Sequence, residues 1–213
     1  MNIRIGIATT YGKPYYRFSS YLKTLDVKFD SILPEEILDY SGHLIFTTRK
    51  EFPKQCKKPI LDEGIFEYHP TVVQGMIIQK LHFDFEEENL LLGIDPGQRI
   101  GLSIFYYDKE IESSLFFSVK DVVFHIIDIL TSLRSKRKII KIGNGDMSIA
   151  KEIVNLLNLK FCSSFELEFV DEQKTSLKIK NYNQRGKRDR LSAKFISQRD
   201  GQRYSVLPLS LIG

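Results

Sequence analysis

The sequence has no membrane-length apolar run, no secretory signal and no paired cysteine motif. None of its 213 residues belongs to a run of about 18 apolar residues, so no transmembrane helix is expected. The start, MNIRIGIATT, lacks an apolar core followed by a small-residue cleavage site and predicts a first strand. The cysteines, Cys56 and Cys162, form no CxxC pair. This excludes a zinc ribbon or a disulfide framework and favours a cytoplasmic location.

Histidine is sparse, and its four positions are scattered along the chain. They show neither HxH nor HExxH spacing, so we expect packed or surface histidines rather than a histidine metal site. Apolar residues make up 42% of the sequence, which is enough for a core and argues against global disorder. The histidines are His43, His69, His82 and His125.

Positive charge is concentrated in the last fifth of the chain. Residues 173–213 contain 10 Lys and Arg against 2 Asp and Glu, whereas residues 1–88 contain 11 against 13. Such a block is usually a solvated helix face, but beside a carboxylate site it indicates a polyanionic partner.

The acidic stretch FDFEEENL separates two blocks that each begin with a strand. We therefore predict a small α/β domain of unknown role over residues 1–88 and a second domain over residues 89–213. The second block predicts the element order βββαβαβα, with short connections between its first three strands. Three antiparallel strands followed by alternating helices and strands predict a mixed sheet with helices on its faces, the order of the ribonuclease H-like fold.

Acidic residues fall at the ends of these predicted elements. Asp95 ends the first strand of the block, and Asp146 follows the fourth. Asp171 and Glu172 end the fifth strand, and Asp189 opens the last helix. The carboxyl ends of parallel strands share one edge of a sheet, so these side chains are expected to converge there.

Converging carboxylates repel one another unless a cation neutralises them, and Mg²⁺ prefers such oxygen ligands. Two such ions, about 4 Å apart, support in-line displacement at a phosphodiester. Basic side chains near the acids would hold the nucleic-acid strand. The candidates are Lys174, Lys187, Arg188 and Arg190.

Each acid also has a structural interpretation. Asp95 precedes Pro-Gly and is able to form a turn. Asp146 and Asp189 each stand where a helix N-cap is expected, and capping is slightly favoured over ligation for Asp146. A Glu at the end of a strand, as Glu172 is predicted to be, usually lies on a solvated surface. Their joint placement at one edge favours the site.

Three segments, in this order, resemble motifs of the RuvC-type Holliday-junction resolvases and their YqgF-type relatives. GIDPGQRIGLSIF is similar to their first motif, VDEQKTS resembles the DER-[LT]-[ST] motif, and DRLSAKFIS resembles the helix with their last Asp. The resemblance covers roughly residues 89–205. It departs from the family at Gln173, where the YqgF motif has Arg, and in the GNGD loop after the fourth strand.

The resemblance implies that Asp95, Glu172 and Asp189 bind Mg²⁺ or Mn²⁺. RuvC itself favours Asp146 over Glu172 as the second ligand, and both remain candidates. It implies an endonuclease that cleaves branched DNA such as Holliday junctions, or structured RNA, and acts in recombination and repair. Branched DNA is favoured, and a homodimer is possible because a four-way junction is two-fold symmetric.

Two further classes compete with the endonuclease. One is a nucleic-acid-binding protein that keeps the ribonuclease H-like fold but has lost turnover. The departures at Gln173 and in the GNGD loop would be the signs of that loss. The other is a nucleotide-binding protein of the actin and sugar-kinase class, whose phosphate loop also reads D-x-G, although those chains need two such domains. ATP titration would distinguish the last class.

Overall fold

The structure, a computed structural model, shows two compact units, Met1–Asp84 (unit 1) and Phe85–Gly213 (unit 2). Both are of the α/β class, with a parallel sheet in unit 1 and a mixed sheet in unit 2. Among the described residues, no helix has both the length and the apolar character needed to cross a bilayer. The described ranges are 4–81, 89–160, 165–171 and 185–204, without the side chains of 160, 185–188 and 204.

Unit 1 contains a four-stranded parallel sheet in the order β2-β1-β3-β4. Two α-helices and two short 3-10 helices connect or follow the strands. The strands and α-helices are β1 (Ile5–Ala8), α1 (Gly12–Thr24), β2 (Phe29–Ile32), β3 (Leu44–Thr47), β4 (Ile60–Leu61) and α2 (Pro70–Leu81).

Apolar side chains cover both faces of this sheet. On one face, Phe18 of α1 is fully buried and lies 5.3 Å from the ring of Phe46 on β3. On the other face, Ile37 and Tyr40 pack with Ala8 and Ile45. Parallel sheets require this coverage because neither face is left to water.

The Glu51 carboxylate joins the loops that leave β1 and β3. It accepts hydrogen bonds from the hydroxyls of Thr9, Thr10 and Thr48 and from the Thr10 backbone N–H, at 2.5–2.8 Å. Desolvation raises the pKa of Glu51, but the hydrogen bonds from Thr10, Thr9 and Thr48 outweigh it, so this pKa lies below its usual value. The ionised carboxylate therefore stabilises the carboxyl edge of the sheet.

We expect Glu51→Gln to lower the free energy of unfolding at pH 7 by about 1–2 kcal/mol, because charge-assisted hydrogen bonds are lost. A lowered folded-state pKa adds stability above the unfolded pKa, about 4.3, and this stability is lost as the pH falls through the folded value. Urea denaturation should therefore show the wild-type advantage at pH 7 and its progressive loss as the pH falls below the unfolded pKa of about 4.3. The exposed Glu35→Gln is the control; an equal effect of both variants would contradict the assignment.

Unit 2 contains a six-stranded sheet in the order β10-β9-β8-β5-β6-β7. Strands β5, β6 and β7 are antiparallel neighbours, β5, β8 and β9 run parallel, and β10 is antiparallel to β9. The elements are β5 (Asn89–Asp95), β6 (Ile100–Tyr106), β7 (Lys109–Phe116), α3 (Val119–Ser132), β8 (Arg137–Gly143), α4 (Met147–Lys160), β9 (Glu166–Val170), α5 (Arg185–Ser197) and β10 (Gln202–Tyr204).

The α/β class and the mixed sheet are confirmed, and the order of unit 2 extends the predicted one by a strand, to βββαβαβαβ. The added strand is β10, which is short and follows a turn, so its three residues carry little periodic signal. The helix α5 begins at Arg185, and not near Asp189 as the sequence predicted. Asp189 therefore lies in the second turn of the helix, and the capping interpretation for it is wrong.

Candidate acidic site of unit 2

Asp95 is the last residue of β5 and is half-buried. Leu90, Leu92 and Ile94 are fully buried, and alternation along the strand directs Gly93 and Asp95 to the opposite face. The strand end thus fixes the carboxylate on one face of the sheet, at the carboxyl edge.

Two glycines allow α5 to lie directly on that face. A Cβ at Gly93 would come within 2.2 Å of the Ala193 carbonyl oxygen, and one at Gly101 within 2.3 Å of the Asp189 carbonyl oxygen. Gly101 is also the cross-strand partner of Asp95. Because directly opposed residues share a face, Asp95 lies beside the position that the Asp189 backbone covers.

The Asp189 carboxylate faces a cation from the β5–β6 turn. Its Oδ2 lies 3.6 Å from Nε of Arg99, with the two side chains 24% and 35% exposed respectively. The distance is that of an ion pair and is too long for a hydrogen bond. Sequence reasoning missed Arg99, which lies four residues after Asp95 and ninety residues before its partner in the chain.

Asp146 acts as the N-cap of α4. Its Oδ1 accepts hydrogen bonds from the backbone N–H groups of Ser148 and Ile149, both at 3.1 Å. The Ala150 N–H donates to the Asp146 carbonyl oxygen at 2.9 Å, which closes the first turn. The interpretation that the sequence slightly favoured is thus the one that the geometry supports.

Substitutions at Asp146 distinguish its role as a helix cap from a role as a metal ligand. We expect Asp146→Ala to lower the free energy of unfolding by about 1 kcal/mol, whereas Asp146→Asn keeps an oxygen acceptor and costs only a few tenths. The endonuclease activity that the sequence predicts should survive in Asp146→Asn. Thermal melting and a cleavage assay on both variants would test this, and loss of cleavage with unchanged stability in Asp146→Asn would instead identify a ligand.

The loops after β8 and β9 meet at the same edge of the sheet. The Asn144 N–H donates to the Val170 carbonyl oxygen at 3.2 Å, and the Asn144 amide donates to Oδ1 of Asp171 at 3.4 Å. Glu172, the alternative second ligand, lies outside the described residues. The parallel pairing of β5, β8 and β9 gives these three strand ends a common edge.

Of the predicted nucleic-acid-binding residues, Arg190 is exposed on α5. Lys174 lies outside the described residues. Lys187 and Arg188 belong to the first turn of α5, and their side chains are outside the described part. The structure therefore locates one of the four predicted cationic side chains.

Polar contacts hold α5 to the sheet beneath it. Lys194 Nζ donates to Glu110 Oε2 at 2.7 Å, and Ser103 donates to Oε1 of the same carboxylate at 2.9 Å. Just after the helix, the Arg199 carbonyl oxygen accepts a hydrogen bond from Lys141 Nζ of β8, which also lies 3.4 Å from Glu168 Oε2 on β9. These contacts fix the helix that carries Asp189.

A cavity of about 470 Å³ opens beside the start of α4. Three apolar and three polar side chains form its wall, and its size falls in the range of small-ligand sites. It adjoins Asn144, whose amide reaches Asp171 at the sheet edge. Its lining residues are Asn144, Met147, Lys151, Val154, Asn155 and Phe169.

The histidine of α3 has a carboxylate partner. Nε2 of His125 lies 2.8 Å from Oε2 of Glu112 on β7, and each side chain is only 10% exposed. The imidazole also packs against Phe116, with ring centroids 5.4 Å apart. This pair ties α3 to the edge strand of the sheet.

Mg²⁺ is the cation that the sequence predicts, and the described donors fit its preference for oxygen in part. Asp95 supplies a carboxylate on the face of the sheet that the Asp189 backbone covers at Gly101. Asp146 has one carboxylate oxygen engaged in capping, and Arg99 already offers positive charge to Asp189. Asp95 and Asp189 are therefore the best-supported pair.

Comparisons with protein-family models and with curated proteins find no match for this chain.

Proposed function

We propose that the protein is a metal-dependent endonuclease with a ribonuclease H-like unit 2. The observation that carries the proposal is the meeting of Asp95 and α5 on one face of the sheet, where Gly101 admits the Asp189 backbone. An acidic pair at the carboxyl edge of an α/β sheet is a suitable place for catalytic chemistry.

The order of elements supports the fold part of this proposal. Three antiparallel strands are followed by alternating helices and strands, and β8 and β9 add in parallel beside β5. The similarity of GIDPGQRIG to the first motif of RuvC-type and YqgF-type proteins falls on the turn that carries Asp95. These features agree with a resolvase-like nuclease.

Three described side chains, those of Asp95, Asp189 and Arg190, have a role in the proposed reaction. Asp95 and Asp189 would hold Mg²⁺, with Glu172 as the candidate third ligand. The bound Mg²⁺ would supply charge stabilisation at the scissile phosphate. Arg190, exposed on the same helix as Asp189, is suited to a phosphate contact. Branched DNA is the proposed substrate, structured RNA the second choice, and a homodimer would match a two-fold junction.

A cleavage panel tests the proposal directly. The purified protein would be incubated with Mg²⁺ or Mn²⁺ and four-way junction, flap and duplex DNA, together with hairpin and precursor ribosomal RNA. We expect metal-dependent cutting of the junction and none in EDTA. If no substrate in the panel is cut with either metal, the enzyme proposal fails.

A second candidate function is nucleic-acid binding without turnover. The Arg99–Asp189 ion pair favours it, because a fixed cation already offsets part of the charge that a metal would neutralise. This candidate predicts salt-dependent binding that is equal in Mg²⁺ and EDTA, and weakened by charge reversal at Lys187 and Arg188. Binding that tightens with Mg²⁺ and is followed by cleavage would exclude it.

A further inference from the structure

The carboxyl edge of the unit 1 sheet contains a reversal of strand order. From β1 the chain passes through α1 to β2 on one side, and it then returns to β3 on the other side of β1. In open α/β sheets, ligands bind outside the carboxyl ends of the strands at such a reversal. The loops that follow β1 and β3 border this place.

These two loops expose aromatic rings beside basic side chains. Tyr11 is 46% and Phe52 43% exposed, and Nζ of Lys50 lies 5.9 Å from the centre of the Tyr11 ring. Lys13 and Lys54 are exposed two residues beyond the two rings. We refer to these five residues as the loop surface of unit 1.

The local charge is strongly positive, although unit 1 as a whole is nearly neutral, with 11 Lys and Arg against 10 Asp and Glu. Residues 49–58 contain five Lys and Arg and a single acid, Glu51. The Glu51 carboxylate accepts hydrogen bonds from Thr9, Thr10 and Thr48, so it joins the two loops that carry Tyr11 and Lys50. The surface therefore offers an ordered combination of rings and ammonium groups.

We propose that this loop surface binds single-stranded nucleic acid, with unpaired bases stacked on Tyr11 and Phe52 and the backbone held by Lys50. Exposed rings accept the face of any unstacked base, whereas a duplex keeps its bases stacked. Lysines spread over the first turn of α1 and the loop after β3 suit several successive phosphates better than one mononucleotide.

The ligand class is shared with the proposed function of unit 2, and in that respect the inference rests on it. If the loop surface binds unpaired strands, unit 1 would recognise the single-stranded parts of a branched or looped substrate. Failure of one proposal is separable from failure of the other, because binding at the loop surface is measured in EDTA, where cleavage is absent.

The experiment measures fluorescence anisotropy of labelled 12-nucleotide oligo-dT and oligo-U with the full chain in EDTA. We expect Tyr11→Ala and Phe52→Ala each to raise the Kd about five- to a hundredfold, in line with the loss of one stacked base. Tyr11→Phe should stay within about twofold of wild type, because the ring is kept. Lys50→Glu should raise the Kd and reduce its dependence on salt.

Lys28→Glu is the matched control, because Lys28 is exposed at the opposite edge of the same sheet, just before β2. It should leave the Kd near that of wild type. Both rings are exposed, so both variants should keep the wild-type thermal transition. If Tyr11→Ala nevertheless lowers the melting temperature, Phe52→Ala still tests the stacking of bases.

The inference would be overturned if wild type bound neither oligonucleotide, if the Kd were unchanged in both ring variants, or if Lys28→Glu and Lys50→Glu had equal effects. Binding of mononucleotides as tight as that of the 12-mers would also overturn it. Normal binding without any metal-dependent cleavage would leave this inference standing and defeat the proposed function.

Discussion

Asp95→Asn is expected to remove metal-dependent cleavage while leaving nucleic-acid binding close to that of wild type. Asparagine has the same shape and fits the end of β5, but it lacks the negative charge that Mg²⁺ requires. Loss of an outer-shell partner of a metal costs roughly 10- to 100-fold in activity, so loss of a direct ligand should cost more than about 100-fold. Single-turnover cleavage of a labelled four-way junction would measure it.

Asp108→Asn is the matched control for this variant. Asp108 lies in the β6–β7 turn with φ of +58°, a conformation that asparagine also tolerates, so the fold is kept while one carboxylate is removed. Its cleavage rate should match that of wild type. Equal rates for the Asp95→Asn and wild-type proteins would show that Asp95 forms a turn and takes no part in chemistry.

Gly101→Ala is expected to damage both stability and cleavage. The added Cβ would lie 2.3 Å from the Asp189 carbonyl oxygen and 3.2 Å from the Ala193 Cβ, so α5 must move away from the sheet. Overpacking of this kind costs about 1–3 kcal/mol, and a clash with backbone places the cost toward the upper end. The same movement shifts Asp189 relative to Asp95, so the cleavage rate should fall by at least about tenfold, since small misplacements cost up to about 100-fold.

Gly97→Ala is the control, in the turn directly after Asp95. The nearest atom to its added Cβ is the Arg99 carbonyl oxygen at 3.4 Å, an ordinary contact, and its φ is not positive. Melting temperature and cleavage should stay near wild type. A Gly101→Ala protein as stable and active as Gly97→Ala would mean that close packing of α5 is not what holds the site.

The sequence predicted the strands of unit 2 well because they are continuous or alternating apolar segments. Leu90, Leu92 and Ile94 on β5 all lie in the core, and Asp95 is found at the strand end where it was expected. The start of α5 was misplaced because RGKRDRLSAKF is basic and has only a weak apolar stripe to mark where the helix begins.

The partners at the site were harder to predict than the strands. The contact of Arg99 with Asp189 joins a turn to a helix about ninety residues later, so no local pattern reveals it. The role of Gly101 likewise depends on a helix that only the folded chain brings over it. Asp146 was ambiguous because the same residue type at a helix start serves both as a cap and as a ligand.

The close packing of α5 on the sheet also restricts which residues related chains are able to carry beneath it. Residues 93 and 101 must remain without side chains if a helix backbone is to lie over them, whereas most core positions accept several apolar residues. A distant relative should therefore keep the spacing Gly-x-Asp-x5-Gly, as in Gly93, Asp95 and Gly101, after most of its other residues have diverged. That short pattern, followed near the end of the unit by a basic helix that carries one Asp, gives a search criterion independent of overall sequence identity.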